Sequence, residues 1–194
     1  MKQIEVTTRV NQSLSEVDEI LTKQGFKVIR KSIIRDKYLS QMELSDNVLD
    51  VLKNSVLLRY LCIDDSKVFK KITYKKKVFD GDIVISEEKI NLNIDDIDSA
   101  FDLFCSLGFK SVVDVNYDVV VYSKGNLEFC FQNVHNLGLL LEYENLNDFE
   151  GYTSFEILDE KHKMLDEIRK YNLDITDEYD VKKAYELLKV MNKC

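Results

Sequence analysis

From Ile4 to Val10 the chain alternates. Ile4, Val6 and Val10 fall on one side of an extended backbone, with Glu5, Thr7 and Arg9 on the other, because a strand turns successive side chains to opposite faces. The pattern returns further on. Phe26 to Leu39 has strand composition around Val28, Ile29, Ile33, Ile34 and Tyr38, and Val56 to Ile63 follows, closed by Asp64-Asp65-Ser66. In Val68 to Val78, Lys71, Thr73, Lys75 and Lys77 share one face, while Lys70, Ile72, Tyr74, Lys76 and Val78 share the other. Asp80-Gly81 predicts a hairpin into Ile83–Leu92, which sets Val84, Ile90 and Leu92 against Glu87 and Lys89. Val112–Tyr122, a Lys124-Gly125-Asn126 turn and Leu127–Val134 predict another hairpin, and Phe149 to Leu158 reads as a further short strand. Between Asn136 and Glu144 the same alternation puts Leu139, Leu141 and Tyr143 on one face and Leu140, Glu142 and Glu144 on the other. Two like charges on one strand face repel, so that face is wet or meets cations.

Elsewhere the apolar period is helical. Ser13-Leu14-Ser15-Glu16 is a capping box, followed by Val17, Ile20 and Leu21 and ended by Gly25, the residue suited to a left-handed cap. Asp95 to Leu107 predicts a second helix, with Ile97, Phe101, Phe104 and Cys105 on its stripe. Met164, Leu165, Ile168 and Tyr171 line one tail helix; Val181, Ala184, Tyr185, Leu188 and Met191 line another. Residues 43–54 fit either a short helix or a loop. The first helix ends in Gly25-Phe26-Lys27 and the second in Gly108-Phe109-Lys110, a faint internal repeat.

Composition narrows the class. With 194 residues, 45% hydrophobic and 32% charged, one substantial domain over 1–194 is expected. The formal net charge of −8 speaks against a nucleic-acid groove. The start has no secretory apolar core, and no run reaches membrane-spanning length, so a cytoplasmic protein without a membrane partner is expected. Cys62, Cys105, Cys130 and Cys194 lie apart and read as reduced thiols; His135 and His162 stand alone. Strand faces that carry Glu5, Arg9, Arg59, Lys71, Lys75, Glu87, Lys89, Glu142 and Glu144 suit either the outside of a sandwich or the inside of a barrel.

A series of short motifs resembles the CYTH superfamily, the triphosphate tunnel metalloenzymes named for class IV adenylyl cyclases and thiamine triphosphatase. They are Glu5-Val6-Thr7-Thr8-Arg9, Asp36-Lys37-Tyr38, Leu58-Arg59-Tyr60-Leu61, Ile72-Thr73-Tyr74-Lys75, Leu107-Gly108-Phe109, the block from Val134 to Glu144, and the tail Lys182–Leu188. The resemblance implies an α+β fold: a closed antiparallel β-barrel, or tunnel, with helices packed outside. It implies a phosphohydrolase or adenylyl cyclase acting on a triphosphate (a nucleotide, thiamine triphosphate or tripolyphosphate). Arg9, Arg59, Lys71 and Lys75 would hold the phosphates, Arg59 and Lys75 in catalytic roles. Glu5, Glu87, Glu142 and Glu144 would hold Mg or Mn. A homodimer is permitted.

The chain also departs from the pattern. Thr7 replaces a carboxylate, Arg9 a lysine and Leu61 an arginine; the basic positions of a later strand fall on Tyr117 and Val119 or, one register along, on Asn116 and Asp118, and Gln132 stands at an aspartate. Each lost charge-assisted hydrogen bond removes roughly 1.5–3 kcal/mol. The alternative expectation is therefore a protein of this fold that binds a phosphate-bearing or other anionic ligand, or a partner protein, without turnover.

Overall fold

A computed structural model describes residues 4–43, 47–53, 55–80 and 83–191, the side chains of 75–80 and 83–89 excepted. The order is β1 (Ile4–Arg9), α1 (Leu14–Lys23), β2 (Lys27–Ser40), α2 (Val48–Lys53), β3 (Val56–Ile63), β4 (Lys67–Asp80), β5 (Ile83–Asn93), α3 (Ile97–Ser106), β6 (Lys110–Lys124), β7 (Leu127–Val134), β8 (Gly138–Asn145), α4 (Ser154–Arg169) and α5 (Lys183–Met191). The strands form one eight-stranded sheet in the order β1-β8-β7-β6-β2-β3-β4-β5, and every pairing is antiparallel. The α+β class expected from the sequence is therefore present. Among the described residues the ladder ends at β1 and β5. The outer edge of β1 is taken by the chain near the C-terminus: Thr7 N–H donates to Tyr179 O, Val181 N–H to Thr7 O and Thr176 N–H to Arg9 O. That contact covers backbone groups an edge strand would otherwise leave open.

Local signals build the elements as expected at most positions. Ser13 caps α1 and Glu16 returns the bond, closing the capping box. Gly25 and Gly108 both have φ +87, and in each case the next Phe N–H reaches back, Phe26 to Leu21 O and Phe109 to Phe104 O. The same helix stop thus occurs twice. The repeat extends to the sheet. The sequence spacing that separates Gly25 from Gly108 also separates Ile34 from Tyr117, which are direct partners in the β2–β6 ladder. Exchanging β1, β2, β3, β4 for β5, β6, β7, β8 reverses the strand order onto itself, so the approximate dyad lies at that pair. One expectation fails. Residues 149–158 add no strand; Thr153 caps α4, with Glu156 as its reciprocal partner. Of residues 43–54, Val48–Lys53 form the short α2, while 44–46 and 54 lie outside the described residues.

The two sheet faces hold different cores. Ile4, Val6, Phe129, Phe131 and Leu141 pack against Val17 and Leu21 of α1 and Ile157, Leu165 and Ile168 of α4. Leu39 and Leu58 of the same face meet Ala100 of α3. The opposite face, which carries Glu5 and Glu142, is not wholly polar. Val115, Tyr117, Val119 and Val121 of β6 and Leu140 of β8 are buried there with Val51 of α2 and Ala184, Leu187 and Leu188 of α5. The expectation of helices only on the outside is corrected accordingly: α2 and α5 lie on the charged face. The reason is visible in β6, where apolar side chains occupy positions expected to be basic and need a cover to leave water.

Candidate functional site

On the charged face, β1 and β8 run side by side with Glu5 opposite Glu144 and Thr7 opposite Glu142. Next along, Cys130 of β7 stands opposite Glu142 and Gln132 opposite Leu140. The alternation read from the sequence therefore brings Glu5, Thr7, Arg9, Glu142 and Glu144 to one face. From β1 and β8, Glu5, Thr7 and Glu142 line a cleft; Tyr38 of β2 and Leu57 of β3 line it from the other side. Strands separated in the sheet by two to four others thus line one cavity. Leu49, Leu52 and Lys53 of α2, together with Asp180, Lys182, Lys183 and Tyr185, complete the wall. The cleft encloses about 820 Å3 of space between atoms, its open mouth included.

Two of the expected phosphate ligands, Arg59 and Arg9, are engaged by carboxylates. Arg59 forms a fork with Asp36: Nε donates to Oδ1 and Nη2 to Oδ2, each at 2.6 Å. The Asp36 side chain is 2% exposed and that of Arg59 is 22%. Burial by itself pulls the guanidinium down, and the hydrogen bonds and charge of Asp36 more than offset that, so its pKa stands above the ordinary value. Arg59 Nη2 also reaches the Tyr117 hydroxyl at 3.4 Å. Burial, then the Asp36 charge, push the Tyr117 phenol well above its ordinary range, so it stays neutral. Arg9 donates from Nε to Glu178 and from Nη2 to Glu186 of α5, both at 3.0 Å. Lys71 is half-buried, its Nζ 5.7 Å from the Phe69 ring centroid. The side chains of Lys75 and Glu87 lie outside the described residues. Their backbones pair within the β4–β5 ladder, opposite Lys89 and Lys77 respectively.

The expected metal ligands divide. Glu5 and Glu142 line the cleft, whereas Glu144 is exposed. Glu142 Oε2 accepts from Gln132 Nε2 at 2.9 Å and pairs with Lys183 Nζ at 3.5 Å. Lys183 also donates to Gln132 Oε1 and lies over Tyr117, 5.1 Å from its ring centroid. Cys130 is next to this group. Burial, reinforced by the Glu142 charge, lifts its thiol to about 11, leaving it protonated and a poor ligand at neutral pH. Among the described residues, no group of three or more His, Cys, Asp or Glu side chains could hold a metal ion.

Four residues at or beside the site were not singled out as site residues from the sequence. Lys183 and Lys182 sit in the tail that resembles the family's last helix, but helical spacing says only which face of a helix they share. Asp36 had a legible signal: it alternates with Ile34 and Tyr38, placing one carboxylate between two uncharged side chains of the strand face. Lys53 reaches the cleft from α2, for which the sequence pattern was ambiguous.

No protein-family model matches the chain. A protein of Methanocaldococcus jannaschii named "Putative adenylate cyclase" is 28% identical over 187 residues, covering 95% of this chain and 97% of that one. The solved structure of protein PH1819 from Pyrococcus horikoshii superposes with a TM-score of 0.67 at 22% identity, over 98% of this chain and 100% of the other. A Hippeastrum protein described as a "Putative adenylyl cyclase" with a dominant triphosphatase activity superposes with a TM-score of 0.59 at 13% identity, over 98% and 96%. At these identities the two structures show that the fold is shared. No helix among the described residues is long and apolar enough to cross a membrane.

Proposed function

We propose that this chain is a CYTH-like protein whose cleft receives a triphosphate-bearing small molecule and that it acts as a phosphohydrolase or adenylyl cyclase. The observation that carries the reading is the convergence of Glu5 and Glu142 with Lys53, Lys182 and Lys183 on one cleft. Support comes from a fold shared over nearly the whole chain with a protein described as a triphosphatase and from the relative named for adenylate cyclase. Phosphate oxygens are best held by cations in a partly dried cleft, and Lys183 and Lys182 have side chains 19% and 22% exposed. The family's tunnel would bring β1 and β5 together; this reading needs only the cleft between the sheet, α2 and α5.

Resemblance adds Mg or Mn to the expectation. Magnesium and manganese prefer several convergent oxygen ligands. The described neighbours of Glu142 include Thr7, Cys130, the donor end of Gln132 and the Lys183 ammonium. That set does not fit a resident divalent ion, and no step is drawn through one. A cation that a triphosphate carries with it counts as part of the substrate.

The second reading, binding without turnover, is favoured by the engagement of Arg9 and Arg59 with carboxylates. One experiment separates the two. ATP, thiamine triphosphate and tripolyphosphate are incubated with the protein, with and without manganese, and followed by phosphorus NMR and cyclic AMP detection. Turnover of one of them that falls at least about tenfold in Lys183→Met, a loss of one charge contact, is expected. Silence towards all three, accompanied by thermal stabilisation with any of them, leaves the binder; silence in both measurements removes both readings.

A further inference from the structure

Three contacts around Glu142 form a triangle. Gln132 turns its amide nitrogen to Glu142 Oε2 at 2.9 Å and its oxygen to Lys183, and Lys183 Nζ is 3.5 Å from the same Oε2. An amide placed this way satisfies a carboxylate and an ammonium together; a metal at Oε2 would face the amide's donor end. The lysine is held from three sides. Its stem leaves the first turn of α5, whose Ala184, Leu187 and Leu188 are buried against β6. Its ammonium rests over the face of Tyr117, within the range of a cation–π contact. Its side chain is 19% exposed. Tyr117 itself stands at a position expected to carry a cation, so the positive charge missing from β6 returns to nearly the same place from the C-terminal helix. Directly opposite Glu142 on β1 stands Thr7, not a second carboxylate.

We infer that Lys183 is a tethered counter-ion that takes, at Glu142, the place of a divalent cation, so that the cleft offers its positive charge to an anion without a resident metal. This rests on the proposed reading of the cleft as a phosphate site only for the identity of the anion; the exchange of ammonium for metal stands on the triangle alone. An ammonium has three donors and one charge. It can hold Glu142 and Gln132 and still present a donor to a ligand. Charge then arrives with the folded chain rather than from solution, and anion binding becomes indifferent to chelators.

The test is direct. Manganese binding is measured by electron paramagnetic resonance, and the midpoint of thermal unfolding is recorded with and without manganese, on the full chain and on Lys183→Met, Lys183→Arg, Glu142→Gln and the double variant Lys183→Met/Glu142→Gln. The wild type and Lys183→Arg are expected to bind no manganese in the protein's concentration range. Lys183→Met is expected to bind at least about tenfold more tightly, since a positive charge has left the carboxylate, and the double variant is expected to lose that gain. In parallel, tripolyphosphate and ATP binding to the wild type is titrated with EDTA present and with manganese present. Binding unchanged by EDTA is expected. One manganese bound per wild-type chain and lost in Glu142→Gln overturns the inference, as does anion binding that requires manganese. A wild type that ignores both anions but yields a manganese site in Lys183→Met upholds the counter-ion and overturns the phosphate reading. Should Lys183→Met fail to fold, the wild-type manganese titration and its Glu142→Gln control decide alone.

Discussion

At the residue scale, Asp36 and Arg59 matter more to the folded chain than their short spacing in the sequence suggests. Both atoms of the fork are spent on one another, and Asp36 has almost no water. Removing one partner leaves a buried charge without compensation. Arg59→Met is expected to cost about 3–5 kcal/mol of stability, read by urea denaturation. Asp114→Ala, which breaks an exposed pair with Lys37, is expected to cost roughly 0–1 kcal/mol. Equal costs would show that Asp36 is better hydrated than its burial implies. Cys130 gives a second prediction at this scale. Its thiol is raised to about 11 from an ordinary 9.0, so the folded protein holds the neutral form while the unfolded chain ionises first. This contribution is intact below pH 9.0 and declines as pH rises from there to about 11. At pH 8 a thiol reagent is expected to label exposed Cys105 quickly and half-buried Cys130, whose thiol stays neutral, much more slowly until the chain unfolds. Fast labelling at Cys130 in the native state would refute its protected placement.

At the scale of elements, the helix stops are the most local features and the easiest to test. A Cβ at Gly25 or Gly108 would meet nothing within 4 Å, yet both sit at φ +87. Any cost of Gly25→Ala or Gly108→Ala therefore comes from the backbone alone. Each is expected to destabilise by about 1 kcal/mol, and the pair to add, since the two sites lie on separate helices. A neutral result at either would mean that the turn relaxes. The elements also show why one stretch was misread. Phe155-Glu156-Ile157-Leu158 is too short an apolar run to separate strand from helix by period. The deciding residues were polar, Thr153 and Glu156 of the capping box. Phe155, which weighed towards a strand, is 79% exposed.

At the scale of the whole molecule, the first strand and the last helix hold one another. The segment 174–181 bonds along β1, Glu178 and Glu186 bind Arg9, and α5 covers the apolar part of the charged face. A chain ending at Tyr171 would expose the edge of β1 and the buried valines of β6 together. Such a chain is expected to bind a hydrophobic dye and to lose its cooperative thermal transition, monitored by circular dichroism. A cooperative transition like that of the full chain would show that α5 is dispensable cover. The approximate dyad does not extend to this end. α1 and α4 both pack on the half of the sheet containing β6, β7, β8 and β1, while α3 covers the other half, with Ile90 and Leu92 of β5 left exposed.

Taken alone, the sequence determined what depends on neighbours a few residues apart: strand and helix periods, the Ser13 cap, the glycine stops, and the sharing of one face by Glu5, Thr7, Arg9, Glu142 and Glu144. These follow from backbone geometry, which fixes side-chain direction within a single element. Which charge meets which was decided only in three dimensions. Arg9 finds Glu186 across 177 positions, and Lys183 finds Glu142 across 41. Such partners share no local spacing, and the same arginine on the same strand face would serve a phosphate equally well if α5 lay elsewhere. The electrostatic state of the cleft is a property of how the C-terminal helix lies against the sheet, because Coulomb energy depends on distance through space and on the water excluded from between the charges.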